Sequence, residues 1–426
     1  MRSIYKFGRV VAAAILLSLS AAVLAQEVNV TWSNPDGLTW QPTYQRLADA
    51  FMEKHPEINV EIVNTPSSGY RERLYTTMAG GTAPDVFTYY FASEVAERGL
   101  FEDLTPYIER DGLDPETLWF PIARERATHE GRYYSVPRDT VYLTFVYNAE
   151  VFDRAGVERP TDDWTPEEMV EKLVALTSYE GGEQIYGMTS VGRGMLESHP
   201  FAYTLGANVV DETGRQVQGY LDSPETIEAI QFILDLEEKG LTLPTVFVEQ
   251  LAAQQTSIFG SGQVALSMMS WNVDPLYELD FEMQYVSPPL KPGVERKAWG
   301  DSVQYYMWSG SSQKEAAWEL LKFLSGPEAG HIVAEMDTWT PPNPSVWEDL
   351  NWDEDPVRGG AWQQAQLPSD TPPYLRSEYY SEIVRPRLNN IWTRYQELGQ
   401  RPLEEIVQEE AAAAQQELDR AYDRGR

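Results

Sequence analysis

Residues 58–90 read INVEIVNTPSSGYRERLYTTMAGGTAPDVFTYY, and the periods inside this run decide the fold class. Ile58, Val60 and Ile62 alternate with polar residues, the period-two pattern of a half-buried strand. Tyr70, Leu74 and Met78 recur at the four-residue spacing of one helix face, and Gly80-Gly81 closes that helix. After Pro84, the stretch from Asp85 to Tyr90 is largely apolar and of strand length. Upstream, Val28, Val30 and Trp32 mark an earlier strand, ended by Asn34-Pro35-Asp36-Gly37. Tyr44, Leu47, Ala48 and Phe51 lie on one face of a helix that stops before Pro56. The resulting order β-α-β-α-β predicts a mainly parallel sheet covered by helices on both faces, because parallel neighbours need crossover connections.

The pattern resumes downstream. Val141 to Tyr147 has strand character, and Thr165-Pro166-Glu167-Glu168 carries an N-cap, a Pro at the first helical position and a Glu that completes a capping box. Met169, Val170, Leu173 and Val174 are the expected buried face of that helix. Ser223-Pro224 starts another, through Ile227, Ile230 and Leu234 to Gly240. Two αβ regions joined near Val136-Pro137-Arg138 follow. Gln313 to Leu324 is amphipathic, and a last helix from Leu403 to Tyr422 buries Ile406, Val407, Ala414 and Leu418. Thr338 to Asp370, rich in Pro, Trp and Asp, reads as long loops.

The N-terminus carries Arg2, Lys6 and Arg9 before an apolar run that begins at Val10, and Val23-Leu24-Ala25 ends it with small residues two apart. This is the pattern of a signal peptide over residues 1–25, cleaved before Gln26, and its apolar run is shorter than the roughly 20 residues a bilayer span needs. The chain has no Cys, so neither a disulfide framework nor a lipid-modified cysteine is available. A periplasmic or extracellular protein that is not a lipoprotein is expected. Net charge is −33, and the basic leader makes the remainder more acidic still. Such a surface disfavours nucleic acid and anionic membranes, which bind through Lys and Arg.

Catalytic constellations are thin. His55, His129, His199 and His331 are scattered without metal-ligand spacing, and neither a G-x-S-x-G elbow nor a phosphate-binding Gly-rich loop occurs. Asp353-Glu354-Asp355 lacks the spaced ligands of a calcium loop. No metal or cofactor is expected.

The run from Phe51 to Glu61 and the run Met78-Ala-Gly-Gly-Thr-Ala-Pro-Asp-Val86 resemble the extracellular solute-binding proteins of carbohydrate ABC importers, family 1 type. The resemblance continues in order through Tyr134–Pro137, Tyr147-Asn148, Ala155-Gly156-Val157, Trp164-Thr165, Phe259–Ala265, Ser270-Trp271 and Ala316–Leu324. It departs at the Trp-rich segment 338–370 and in the loop after the first strand. It implies an α/β, periplasmic-binding-protein-like (type II) clamshell of two lobes, each a mainly parallel sheet flanked by helices, on a three-crossing hinge. It further implies an N-terminal lobe of 26–137 and 286–338 and a C-terminal lobe of 139–285 and 339–426. A ligand would lie between the lobes, and the closed form would dock on the permease subunits of an ABC transporter, with the binding protein a monomer.

A sugar offers apolar C–H faces and a rim of hydroxyls, so its site pairs flat aromatics with hydrogen-bonding side chains. Candidates for such a substrate-binding site are Trp40 with Asn34 and Asp36, Tyr89 and Tyr90, Trp271-Asn272, and Trp299-Gly300-Asp301. Arg138-Asp139 and Trp339 join them from beside the expected crossings. The alternatives are the same clamp holding a polyol phosphate, a polyamine or another small metabolite, and, further away, a secreted glycoside hydrolase. The last requires two carboxylates placed astride a scissile bond.

Overall fold

A computed structural model of the protein describes residues 28–38, 40–89, 99–177, 185–189, 200–243, 259–270, 279–355, 358–370, 376–377, 379–398 and 401–424. The expected leader, 1–25, lies outside these residues. Strands follow one another as β1 (Val28–Asn34), β2 (Ile58–Asn64), β3 (Val86–Tyr89), the hairpin strands β4 (Thr128–His129) and β5 (Arg132–Tyr133), then β6 (Ser135–Pro137) and β7 (Val141–Asn148). They continue with β8 (Tyr186–Met188), β9 (Val264–Ser270), β10 (Met283–Val286), β11 (Ala298–Asp301), β12 (Gln304–Met307) and β13 (Ser369–Asp370).

The first sheet runs β2-β1-β3-β12-β6. Its first three strands are parallel, with Val28 opposite Ile58 and Asn34 opposite Asn64, as the βαβ reading predicts. Strand alternation then feeds two cores. Val30 and Trp32 bury against Tyr44, Leu47 and Phe51 of the helix Gln41–Lys54 and against Trp318 and Leu321 of the helix Lys314–Leu324. Trp32 meets Tyr44 edge-on with ring centroids 5.0 Å apart. On the opposite face, Phe87 and Tyr89 pack with Tyr70, Leu74 and Met78 of the helix Tyr70–Ala79. The Asp of the Pro84-Asp85-Val86 motif is structural: Asp85 Oδ2 accepts Thr31 N at 2.9 Å and Thr31 Oγ1 at 2.7 Å, and its Oδ1 accepts Ser311 Oγ at 2.6 Å. It thereby locks β1 to the start of β3 and to the turn after β12.

The second sheet runs β13-β11-β7-β9-β8, with β10 also paired to β7. It is mixed, where a mainly parallel sheet is expected: β7 is antiparallel to β9, β10 and β11, while β8–β9 and β11–β13 are parallel. The connectivity requires this, since β7 leaves the junction with the first sheet at Val141 and β11 returns to it at Asp301. Helices Pro166–Thr177, Pro224–Glu238, Arg385–Leu398 and Leu403–Arg424 cover the sheet around Phe145, Leu266, Ile230, Trp392 and Val407. The capping box forms: Glu168 N donates to Thr165 Oγ1 at 3.2 Å and Thr165 N to Glu168 Oε2 at 2.8 Å. Ser223 caps its helix by accepting Thr226 N at 3.2 Å.

Three further sequence expectations change. Val174 is 45% exposed, because the buried stripe of its helix runs through Met169, Leu173 and Leu176 instead. The segment 338–370 is not all loop: it holds the helices Pro344–Asp349 and Arg358–Ala365, and its Trp347 is fully buried. Aromatics that look superfluous in a loop are the core of a small satellite cluster. Finally, residues from 286 onward do not all join the first sheet. β11 pairs with β7 in the second, and the chain returns to the first only between Asp301 and Gln304.

The two sheets are therefore connected by three adjacent passages, at Arg138–Thr140, Ser302–Val303 and Trp339–Pro341. They are stitched together by backbone bonds, Arg138 N to Val303 O at 2.9 Å and Thr140 N to Thr340 O at 3.0 Å.

Candidate functional site

A cavity of about 570 Å³ opens at the carboxyl ends of β1, β2 and β3. Open α/β sheets place ligands there, because loops leaving parallel strands converge at that edge. The turn after β1 contributes Pro35, Asp36 and Gly37, and Trp40 follows just before its helix. Gly37 has φ +66°, a left-handed turn conformation that glycine adopts without strain. The turn after β2 contributes Pro66 and Ser67, and a bridge between Asp36 and Pro66 holds the two turns together. Tyr70 and Arg71, at the start of the next helix, and Tyr89, ending β3, complete the wall. Tyr89 Oη lies 3.3 Å from Tyr75 Oη, and Tyr70 Oη donates to Ser33 O at 3.4 Å.

Of the sequence candidates, Asp36, Trp40 and Tyr89 come together here. Asn34 sits one residue behind the turn, fully buried, with neither side-chain polar atom hydrogen-bonded among the described residues. It lies level with Asn64 across β1–β2. Pro66, Ser67, Tyr70 and Arg71 are cavity residues the sequence reading passes over, treating Tyr70 as core alone. The signal was available: the Ser67-Ser68-Gly69 turn follows the carboxyl end of a predicted parallel strand, where ligand loops belong.

Behind the cavity lies a buried charge cluster. Arg138 Nη1 donates to Asp36 Oδ2 at 2.7 Å and lies 3.0 Å from Tyr44 Oη, while its Nε and Nη2 reach Asp139 Oδ2 at 3.1 and 3.0 Å. Burial pushes the Tyr44 hydroxyl well above the usual tyrosine value, so it stays protonated and donates to Asp36 Oδ2. Burial works against the Arg138 charge, but the Asp139 and Asp36 carboxylates outweigh it and hold its pKa above the ordinary value. The ring of Trp339 caps the guanidinium with its centroid 4.8 Å away, in range of a cation–π contact. Trp339 also packs edge-on to Trp40 at 6.5 Å.

Arg138, Asp139 and Trp339 are thus brought together in the hinge rather than on the cavity wall. Asp139 is fully buried, and its Oδ1 accepts Val303 N at 2.8 Å. Asp301 is further off, held by Arg126 Nε at 2.8 Å. Gly300 is packed into the ladder opposite Tyr142, and Trp299 pairs with Asp370 through the backbone. Tyr90, Trp271 and Asn272 lie outside the described residues, as does the side chain of Trp299. Among the described residues there is no group of three or more His, Asp or Glu placed to hold a metal ion, and no helix long and apolar enough to cross a membrane.

Two α/β lobes on three stitched passages, with a cavity at the carboxyl ends of parallel strands, define a ligand clamp of the type II periplasmic-binding fold. The chain belongs to the bacterial extracellular solute-binding protein family, which it matches over residues 34–331. It is 27% identical over 345 residues to the maltotriose-binding protein of Pyrococcus abyssi, covering 79% of this chain and 71% of that one. It is 24% identical over 344 residues to the erythritol/L-threitol-binding protein of Mycolicibacterium smegmatis, covering 71% and 68%. Among solved structures, the sugar-binding protein MalE of Xanthomonas citri superposes with a TM-score of 0.75 at 18% identity, over 93% of this chain and 98% of that one. These relatives are binding proteins rather than enzymes.

Proposed function

We propose that this protein binds a neutral carbohydrate, an oligosaccharide in the first instance, in the cavity at the ends of β1–β3. It closes its lobes over the sugar and delivers it to an ABC import permease, working as a monomer in the periplasm or outside the cell after its leader is removed. The observation that carries the reading is the pairing, on one cavity wall, of the aromatics Trp40, Tyr70 and Tyr89 with the hydrogen-bonding groups of Asp36, Ser67 and Arg71. Flat rings cover the C–H faces of a sugar at low entropic cost, and the polar groups meet its hydroxyls. Similarity to the maltotriose-binding protein supports the choice of sugar.

Binding without chemistry is part of the proposal. Hydrolysis of a glycosidic bond uses two carboxyl groups about 5 to 10 Å apart across the bond. Among the described residues lining the cavity, Asp36 is the one carboxylate. A small polyol is the second reading, supported by the erythritol/L-threitol-binding relative.

A thermal-shift panel of maltotriose, longer maltodextrins, monosaccharides, erythritol, spermidine and glycerol phosphate tests this. A sugar at about 100 times its Kd adds roughly 2.7 kcal/mol to the stability of the folded state. The expected result is a raised Tm with an oligosaccharide that is recovered intact. Stabilisation by erythritol alone selects the second reading, and release of cleaved sugar or a response only to spermidine or glycerol phosphate overturns both.

A further inference from the structure

Arg138 occupies an unusual place: it belongs to the hinge by its backbone and to the ligand cavity by its side chain. Its amide bonds Val303 of the second passage, its guanidinium lies under Trp339 of the third, and its neighbour Asp139 accepts the Val303 amide. The same guanidinium donates to Asp36, whose carboxylate lines the cavity. Asp36 Oδ2 is taken up by Arg138 and Tyr44, while Oδ1 has no hydrogen-bond partner among the described residues. The side chains of Arg138, Asp36 and Asp139 are only 8%, 11% and 0% exposed, so one buried cation is shared by two carboxylates. A carboxylate oxygen without a protein donor, at a residue of the cavity wall, gains from a hydrogen bond that a ligand donates to it. A ligand hydroxyl at Asp36 Oδ1 supplies one, and in doing so changes how tightly Asp36 holds the guanidinium fork.

We infer that Arg138 is a positioning residue that fixes the Asp36 carboxylate for a ligand hydroxyl and ties it to the three hinge passages, so that ligand occupancy and lobe angle are linked through one guanidinium. This rests on the cavity being the ligand site. Geometry makes the fork essential: Nη1 serves Asp36 while Nε and Nη2 serve Asp139, a division that a lysine ammonium on its flexible stem does not reproduce.

The test uses Arg138→Lys, Asp36→Asn and the double variant in the mature chain. Because the protein has no Cys, Glu61→Cys in β2 and Glu238→Cys in the second lobe accept spin labels uniquely, and pulsed EPR then reads the interlobe distance. Both positions are exposed. Arg138→Lys is expected to shift or broaden that distance distribution without ligand and to raise the Kd of the sugar found in the panel by about tenfold or more. Asp36→Asn raises Kd by a comparable factor, and the double variant adds little to either. An unchanged ligand-free distance, or a double variant whose loss is the product of the single losses, overturns the link. If no compound in the panel binds the parent protein, the ligand reading falls and the ligand-free distance alone decides the hinge role. Should Arg138→Lys fail to fold, Tyr44→Phe keeps the ring packing and removes only the hydroxyl. It is expected to weaken binding several-fold and to alter the distance distribution, and wild-type values for both overturn the proposal.

Discussion

Gly300 stands in β11 with the Val141 carbonyl oxygen where a side chain would begin: a Cβ there would lie 1.9 Å from that oxygen. From the sequence, Trp299-Gly300-Asp301 resembles a polar-aromatic ligand loop, and only the pairing with β7 shows the glycine to be a matter of close backbone approach. Gly300→Ala is expected to cost about 1–3 kcal/mol, the usual range for overpacking, and to lower the urea midpoint accordingly. A variant with an unchanged midpoint would show that the strand has room to move. Asp301 tells the same story, since its carboxylate is engaged by Arg126 and not by the cavity. Asp36 is the contrary case. A turn residue at the end of a parallel strand reads as a ligand contact, and the structure puts it on the cavity wall with one oxygen anchored from behind.

Elements are fastened to one another by few but well-placed polar contacts. Asp111 ends the helix Thr105–Asp111 and reaches across to Lys322 Nζ at 2.7 Å and Trp318 Nε1 at 2.9 Å on the helix Lys314–Leu324. Hydrogen bonds from Arg110, Lys322 and Trp318 hold its carboxyl well below the usual carboxylate range. A carboxylate with a depressed folded-state pKa contributes its full stabilisation above the unfolded value, about 4, and loses it as the pH falls toward the folded one. The Tm difference between the parent protein and Asp111→Asn is therefore expected to be largest near pH 7 and to shrink steadily below about pH 4. A difference that stays constant or grows in acid would assign the effect to packing. Cap sequences behave more simply, because their partners are three residues away: Thr165 with Glu168 and Ser223 with Thr226 form as the local pattern predicts.

At the scale of the molecule, the lobes share apolar packing as well as a hinge. Phe120 and Ile122, from the chain before the first passage, pack with Tyr142 and Ala298 of the second sheet and with Trp347 beyond the third passage. Phe120 meets Trp347 edge-on at 5.1 Å and Tyr142 at 6.3 Å. A cluster built from both sides of the hinge couples the lobes in unfolding. Phe120→Ala is expected to destabilise the protein by about 3–5 kcal/mol while scanning calorimetry still shows one transition, moved to lower temperature. Separation into two peaks would show that the cluster belongs to one lobe only.

The sequence alone determined what depends on near neighbours: the strand and helix periods of 28–89, the caps, the turn that carries Asp36, and the ordered motifs of the solute-binding family. These signals are local because alternation, helical spacing and capping are settled within a few residues. Tertiary structure alone decided what depends on chain segments far apart in sequence. It sent β11 to the second sheet, made helices and a small core of 338–370, and gathered Pro66, Ser67, Tyr70 and Arg71 beside Asp36. It also placed Arg138 between a cavity carboxylate 102 positions before it and a tryptophan ring at 339. Burial and strand pairing are sums over such distant partners, and no period in the sequence records them.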